Sequence, residues 1–387
     1  MTLLGALPPA ASRKGRGGRY YLDANASEPL RPEARAALLD ALRITGNPSS
    51  VHGEGRTARR LLEDARETLA VRFGAHPERV VFTSGATEAN ALALHALRGE
   101  RRLVIGSTEH DSIRAHAPDA VILAVDRRGV AELDALASIL DDGPALVALM
   151  LANNETGTLQ PVVEAAMLCR RRGAILHVDA VQAAGRVPVD LAALGAHSLA
   201  LSSHKLGGPL GAGALLLSAD APAERPLIAG GGQERGWRGG TPALPAIAGF
   251  AAAAGVAGDA ERLVPLRDAI ERAAVGQGAI VSGAGAARLA NTTCVALRGV
   301  RADAQVIALD LEGIGVSAGA ACSSGKMTAS HVLTAMGLGA LAGQAIRVSL
   351  PWNAEADCVE AFATAYARMA ARLRPALAGA PAGAYMP

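Results

Sequence analysis

The sequence predicts an α/β protein: a large domain built on a mainly parallel sheet, followed by a smaller α+β C-terminal domain. Three observations carry that prediction. Short apolar runs alternate with helical stretches up to about residue 218. Several of those runs end in small or polar residues, as strand exits do. Beyond a glycine-rich segment the pattern changes to a few strands with helices expected on one side of them. A chain of 387 residues is long enough for two domains, and 50% hydrophobic residues supply a sizeable core. Aromatics are only 3%, so Ala, Val and Leu must fill it.

Residues 1–20 read as a flexible Pro/Gly-rich tail, in which apolar residues precede basic ones, the reverse of a signal peptide. Residues 21–257 are assigned to the large domain and 258–387 to the small one. Pro32–Leu42 and residues 56–72 have helical apolar spacing. Val80–Thr83 is a strand, and Ser84–Glu88 turns into a helix through Leu97. Further strands are predicted at Leu103–Gly106, Val121–Val125, Leu146–Leu151, Ile175–Asp179, Leu199–Ser202 and Ala214–Leu217. The glycine-rich segment 230–242 follows, then helices near 243–254 and 259–274. In the small domain the strands are Thr293–Leu297, Ile314–Ser317 and Ile346–Leu350, with helices at 303–312, 329–336 and 355–373.

Composition excludes several classes. A net charge of +2 and the lack of a basic block interleaved with aromatics give no support to nucleic-acid binding. No apolar run approaches the roughly 18 residues of a membrane span. The four cysteines, Cys169, Cys294, Cys322 and Cys358, have neither metal-ligand spacing nor a disulfide framework, which fits a reducing, cytoplasmic setting.

The chemistry centres on Lys205. It follows the apolar run Leu199–Leu201, at a sheet edge where open α/β sheets bind ligands. Of 38 Lys and Arg residues only Lys14, Lys205 and Lys326 are lysines, so Arg serves almost everywhere that charge alone is needed. A lysine here suggests work that needs a deprotonated amine, such as a covalent bond to a carbonyl, although a surface loop lysine would read the same alone. Asp179 ends the preceding strand. Lysine and aspartate together are the signature pair of a pyridoxal phosphate site, in which the carboxylate keeps the ring nitrogen protonated. As a single residue, Asp179 is equally compatible with a helix cap. The Ser84–Glu88 turn can present N–H groups and the Thr87 hydroxyl to an anion. His110 and Asn154 stand at two more strand exits; a histidine there could lie on a cofactor ring or simply start a helix. The expectation is that Thr87, His110, Asn154, Asp179 and Lys205 share one edge of one sheet. Cys322 lies in a run of small residues, Ala318–Gly325, that points to an accessible nucleophilic or redox thiol; the other three cysteines are expected in the core.

These motifs together resemble the cysteine desulfurases of the NifS/IscS type, enzymes of pyridoxal phosphate fold type I in the class V aminotransferase group. The resemblance is carried by Tyr21-Leu22-Asp23, by Gly46 to His52, by Phe82 to Glu88, by Asn153-Asn154-Glu155, by His177-Val178-Asp179, by Ser203-His204-Lys205 and by Gly319 to Gly325. It implies that Lys205 holds the cofactor covalently, that Asp179 pairs with the pyridinium and that His110 stacks on the ring. It implies that Asn154 and Gln182 face the ring hydroxyl and substrate. Ala86, Thr87, Ser202 and His204 would bind the phosphate, with Thr241 supplied by the partner of a homodimer with shared active sites. Arg347 would hold the carboxylate of L-cysteine, and Cys322 would take its sulfur and pass it to an acceptor such as an iron–sulfur scaffold. Another enzyme of the group, such as a selenocysteine lyase, is the alternative for function. A non-catalytic scaffold fits poorly with an intact Lys205, Asp179 and Cys322. Two stretches depart from the family pattern: Ser27-Glu28-Pro29 stands where Thr-Thr-Pro is usual, and Leu350-Pro351-Trp352 where Leu-Gly is usual.

Overall fold

Apolar runs of four to six residues, buried on both faces, need a sheet covered on both sides, and that is how the N-terminal part of the chain folds. The computed structural model describes residues 18–222, 226–258, 260–319 and 329–374. A short first strand, β1 (Tyr20–Tyr21), precedes the main sheet. That sheet contains β2 (Val80–Thr83), β3 (Arg102–Gly106), β4 (Val121–Leu123), β5 (Ala145–Met150), β6 (Ile175–Asp179), β7 (Ser198–Ser202) and β8 (Gly213–Leu217). Their spatial order is β2-β8-β7-β6-β5-β3-β4. All neighbours pair in parallel except those of β8, which is antiparallel to both β2 and β7.

Strand alternation divides the core into two layers. Val147 and Leu149 of β5 face one layer with Leu176, Val178, Leu199 and Leu201. Helix Gly53–Phe73 and helix Leu244–Val256 close that layer with Leu62, Leu69, Phe73 and Phe250. Leu146 and Ala148 point the other way, where helix Ala86–Arg98 covers them with Ala89, Leu92, Ala93 and Leu97. The small residues of both layers let the helices approach the sheet closely, as the low aromatic content requires.

The C-terminal part contains β9 (Ala279–Ser282), β10 (Thr292–Leu297), β11 (Ile314–Gly315), β12 (Ser317–Ala318) and β13 (Ala345–Ser349). Four of these form an antiparallel sheet in the order β12-β13-β10-β9. Two expectations are corrected here. The run Ile314–Ser317 is not one strand: β11 pairs with β1, while β12 pairs with β13. The helices do not keep to one side. Helix Asp357–Leu373 packs Phe362, Tyr366 and Met369 against Val295 and Val348, and helix His331–Ala335 packs Val332 and Leu333 against Cys294 and Ala296 on the opposite face. β9 was not foreseen, because Ala279–Ser282 is too short for a clear period. Tyr20 and Leu22 are buried in this C-terminal core, so the chain's first strand serves the second sheet. Among the described residues no helix is long and apolar enough to cross a membrane.

Candidate active site

Parallel strands bring their C-terminal ends to one edge, and the residues that follow them line a cavity of about 590 Å³. Lys205 closes a single helical turn after β7. Its Nζ donates to the carbonyls of Asn25 (2.7 Å) and Ala26 (3.0 Å). Asp179 is the last residue of β6 and is 6% exposed. Its Oδ2 accepts from Asn90 Nδ2 at 2.8 Å and its Oδ1 from the Val181 N–H at 3.0 Å. His110 caps the short helix Asp111–Arg114, its Nδ1 accepting from the Ser112 N–H at 3.1 Å. Thr87, His110, Asn154, Asp179 and Lys205 all line the cavity, as do Ala86, Gln182, Ser202, His204 and Arg347.

Helix Ala86–Arg98 begins at the cavity wall after Gly85, a capping position with no side chain to satisfy the first N–H groups. Those donors and the positive end of the helix dipole suit an anion. His204 lines the same cavity; burial, and then the nearby Lys205, push its pKa down to about 4, so it is neutral near pH 7. Gln182 is fixed through both ends of its amide: Nε2 donates to the Asn25 carbonyl at 3.0 Å, and Oε1 accepts from Arg186.

The opposite wall comes from the C-terminal sheet. Arg347 in β13 is 4% exposed and donates from Nη2 to Asp23 Oδ1 (2.7 Å) and from Nη1 to the Asn154 carbonyl (3.1 Å). Its Nε is buried without a hydrogen-bond partner among the described residues, as is Asn154 Oδ1. Ser317 Oγ donates to Asp23 Oδ2 at 2.8 Å. Asp23, Asn25, Ser112 and Ser317 are therefore site residues that strand-exit reasoning missed. Asp23 lies in the Tyr-Leu-Asp motif, the one signal that could have marked it; the others depend on contacts remote in sequence.

Thr241 is not brought into this cavity within the chain. It lines a neighbouring one of about 70 Å³, which shares Ser84 and Gly211 with the larger. Cys322 and Lys326 lie outside the described residues. Cys169, Cys294 and Cys358 are buried, and burial pushes their thiols up to about 12, 12 and 11, which makes them poor nucleophiles.

The class V aminotransferase family model matches residues 20–362. A cysteine desulfurase of Cereibacter sphaeroides is 42% identical over 88% of this chain and 92% of its own length. An IscS-like cysteine desulfurase of Mycobacterium tuberculosis is 37% identical over 93% and 98%. The X-ray structure of a NifS-like protein from Rickettsia africae superposes with a TM-score of 0.84 at 32% identity, covering 91% of this chain and 99% of that one. SspA, solved in complex with cysteine, superposes with a TM-score of 0.76 at 29% identity, over 86% and 98%. The chain belongs to the class V aminotransferase family, enzymes that depend on pyridoxal phosphate. Within that family it belongs to the cysteine desulfurases.

The cavity fits that cofactor. It has the volume usual for a small-molecule site. It offers an uncapped helix start for the phosphate, a buried carboxylate, an amine, an imidazole and an amide whose buried oxygen lacks a partner among the described residues.

Proposed function

We propose that the chain converts L-cysteine to L-alanine in this cavity and passes the sulfur on as a persulfide of Cys322. The single observation that carries the reading is the convergence of Lys205, Asp179, His110 and Arg347 on one cavity, the first two from the ends of adjacent parallel strands, His110 from the segment after β3 and Arg347 from the second sheet. Lys205 would hold pyridoxal phosphate covalently, Asp179 its ring nitrogen, and His110 one ring face. Asn154 and Gln182 would meet the ring hydroxyl. Ala86, Thr87, Ser202 and His204 would hold the phosphate, with Thr241 of a second subunit. Bound there, the cofactor supplies an electron-accepting ring that stabilises negative charge at the substrate Cα.

The chain's own groups do the rest. Arg347 binds the cysteine carboxylate, which would share the guanidinium with Asp23. Once the amine of the incoming cysteine has displaced it, the Lys205 amine takes the Cα proton. The Cys322 thiolate attacks the substrate sulfur: the S–S bond forms as the Cβ–S bond breaks, the electron pair and a proton go to Cβ, and Lys205 returns the first proton to Cα to complete alanine. Ser317, hydrogen-bonded to Asp23 at the cavity wall, lies five positions before Cys322, which supports a loop beginning beside the substrate. The proposal includes a cytoplasmic homodimer with shared sites and an iron–sulfur scaffold as sulfur acceptor. It also places the division of the chain near residue 257, with the cysteine loop in the second unit.

The test is purified protein with pyridoxal phosphate, L-cysteine and a thiol reductant. Equal amounts of alanine and sulfide are expected, and Cys322→Ala should lose sulfide release while retaining bound cofactor. Alanine and persulfide formed by Cys322→Ala at the wild-type rate would overturn the role given to that thiol.

A further inference from the structure

We propose that Asn90 is a positioning residue that ties Asp179 and His110 into one polar relay and thereby sets the tautomer of His110. Asn90 is 0% exposed, in a helix whose other inward side chains are Ala and Leu. A polar amide in such a place is stable only if its hydrogen bonds are made. Here they are. Nδ2 donates to Asp179 Oδ2 and to Ser112 Oγ, both at 2.8 Å. Oδ1 meets His177 Nε2 at 2.9 Å, and His177 Nδ1 meets Ser198 Oγ at 2.8 Å. Ser112 Oγ in turn lies 2.9 Å from His110 Nδ1.

One arrangement of protons satisfies all of these contacts together. An ionised Asp179 can only accept, so Asn90 turns its amino group to it and its oxygen to His177. His177 then carries its proton on Nε2 and accepts at Nδ1 from the Ser198 hydroxyl. Complete burial supports this, because it pushes the His177 pKa down to about 3 and keeps the ring neutral. Ser112 Oγ accepts from Asn90, so its own proton points to His110. The Ser112 backbone N–H can only donate, and it reaches the same His110 Nδ1 at 3.1 Å. That nitrogen is therefore the acceptor, and the ring proton of His110 sits on Nε2.

Ligands on a buried polar chain act as a unit. Through Asn90, the carboxylate assigned to the cofactor's ring nitrogen and the imidazole assigned to its face are held in register from behind. This inference rests on the proposed cofactor site and names the residue that aligns it.

The experiment is equilibrium binding of pyridoxal phosphate, read from its bound absorbance, for the wild type, Asn90→Leu, Ser112→Ala and the double variant. Each single change should weaken binding about tenfold or more, because Asn90→Leu removes a hydrogen bond to the Asp179 carboxylate and Ser112→Ala cuts the same chain one link further on. The double variant should be no weaker than the poorer single, because both cut one chain. Multiplying effects, or a Ser112→Ala protein that binds like the wild type, would overturn the proposal, and the second arm stands even if Asn90→Leu fails to fold. Ring-nitrogen NMR of the wild type, with His110 assigned by its loss in His110→Gln, should show a protonated Nε2 and a bare Nδ1. A protonated Nδ1 would overturn the proposal without any relay variant. No binding by the wild type would overturn the cofactor site itself, a result distinct from wild-type binding with unaffected variants.

Discussion

Two buried carboxylate–guanidinium pairs brace this protein, one at the β2 edge of the main sheet and one beside the cavity, and they are built differently. Arg66 and Glu234 meet through two parallel hydrogen bonds of 2.8 and 2.9 Å, with both side chains 2% exposed. Glu234 Oε2 also accepts from the Phe82 N–H at 2.7 Å, and Arg66 adds the Val80 carbonyl and Glu63. Burial works against the charge, yet the Glu234 contacts hold the Arg66 guanidinium above its ordinary range. Glu28 and Arg186, 5% exposed each, share only one bond, at 3.0 Å. Burial pushes Glu28 up and Arg186 down, and their mutual attraction offsets this only in part.

The difference teaches what each pair is for. The first fastens Glu234 and Arg235, whose φ values of 46° and 55° put them in the left-handed region, a conformation that costs roughly 1–2 kcal/mol per residue. It thus pins the glycine-rich segment that carries Thr241 to the start of β2. The second pair faces the site: Arg186 donates to Gln182, and the Glu28 N–H donates to the carbonyl of His204, next to Lys205. Glu28 Oε1 accepts from the Trp352 N–H at 2.6 Å, and Arg31 lies over the Trp352 ring. The Ser27–Pro29 and Leu350–Trp352 stretches therefore touch each other.

The contrast can be broken. Glu234→Gln leaves the buried Arg66 with only the half-exposed Glu63 as counter-charge, and we expect a loss of about 3–5 kcal/mol in unfolding by urea. A loss below about 1 kcal/mol would show that the pair is not the staple described.

Acid should reveal one buried and one half-buried histidine as well. His177 and His204 have folded pKa values lowered to about 3 and about 4, from 6.5. Below pH 6.5 the unfolded chain binds protons that the folded one refuses, so stability falls as pH drops toward 4. By linkage, His177 alone contributes a loss of about 2 kcal/mol at pH 5. His177→Gln should flatten the curve of urea midpoint against pH over that window; an unchanged slope refutes the assignment. Glu28, with its pKa raised, acts in the opposite sense, since its proton is held more tightly in the folded state.

Glu28→Gln should cost less in stability than Glu234→Gln, about 1–3 kcal/mol. It should weaken pyridoxal phosphate binding more, by about tenfold, because Gln182 and the turn before Lys205 lose their brace. The reverse ranking in a cofactor titration would show that the two pairs are not specialised. The smallest effect belongs to Trp352→Leu, which removes the cation–π contact with Arg31 and should lower stability by about 1 kcal/mol. Its effect should shrink in a Glu28→Gln background, and full additivity would contradict the coupling.

Much of the site was legible in the chain because strand exits have local signals. An apolar run ending in Asp179 or followed by Lys205 reveals both a buried strand and a charged group at its tip, and parallel pairing then puts such tips on one edge. The glycine and alanine that precede Thr87 announce the turn into a helix in the same way. Sequence determined, by itself, the α/β plan, the Asp–Lys pair and the core positions of Cys169, Cys294 and Cys358. Tertiary structure alone decided what lies behind them. Asn90 looks like one polar residue in an alanine-rich helix until His177, Asp179 and Ser112 close around it. Glu234 meets Arg66 across 168 positions and Glu28 meets Trp352 across 324. Ile314–Ser317 reads as one strand, yet it is shared between two sheets because β1 arrives from the other end of the chain. Local patterns record which way a side chain faces along its own strand or helix. They hold no record of which distant group desolvates or neutralises it, and those encounters set the buried charges of this site.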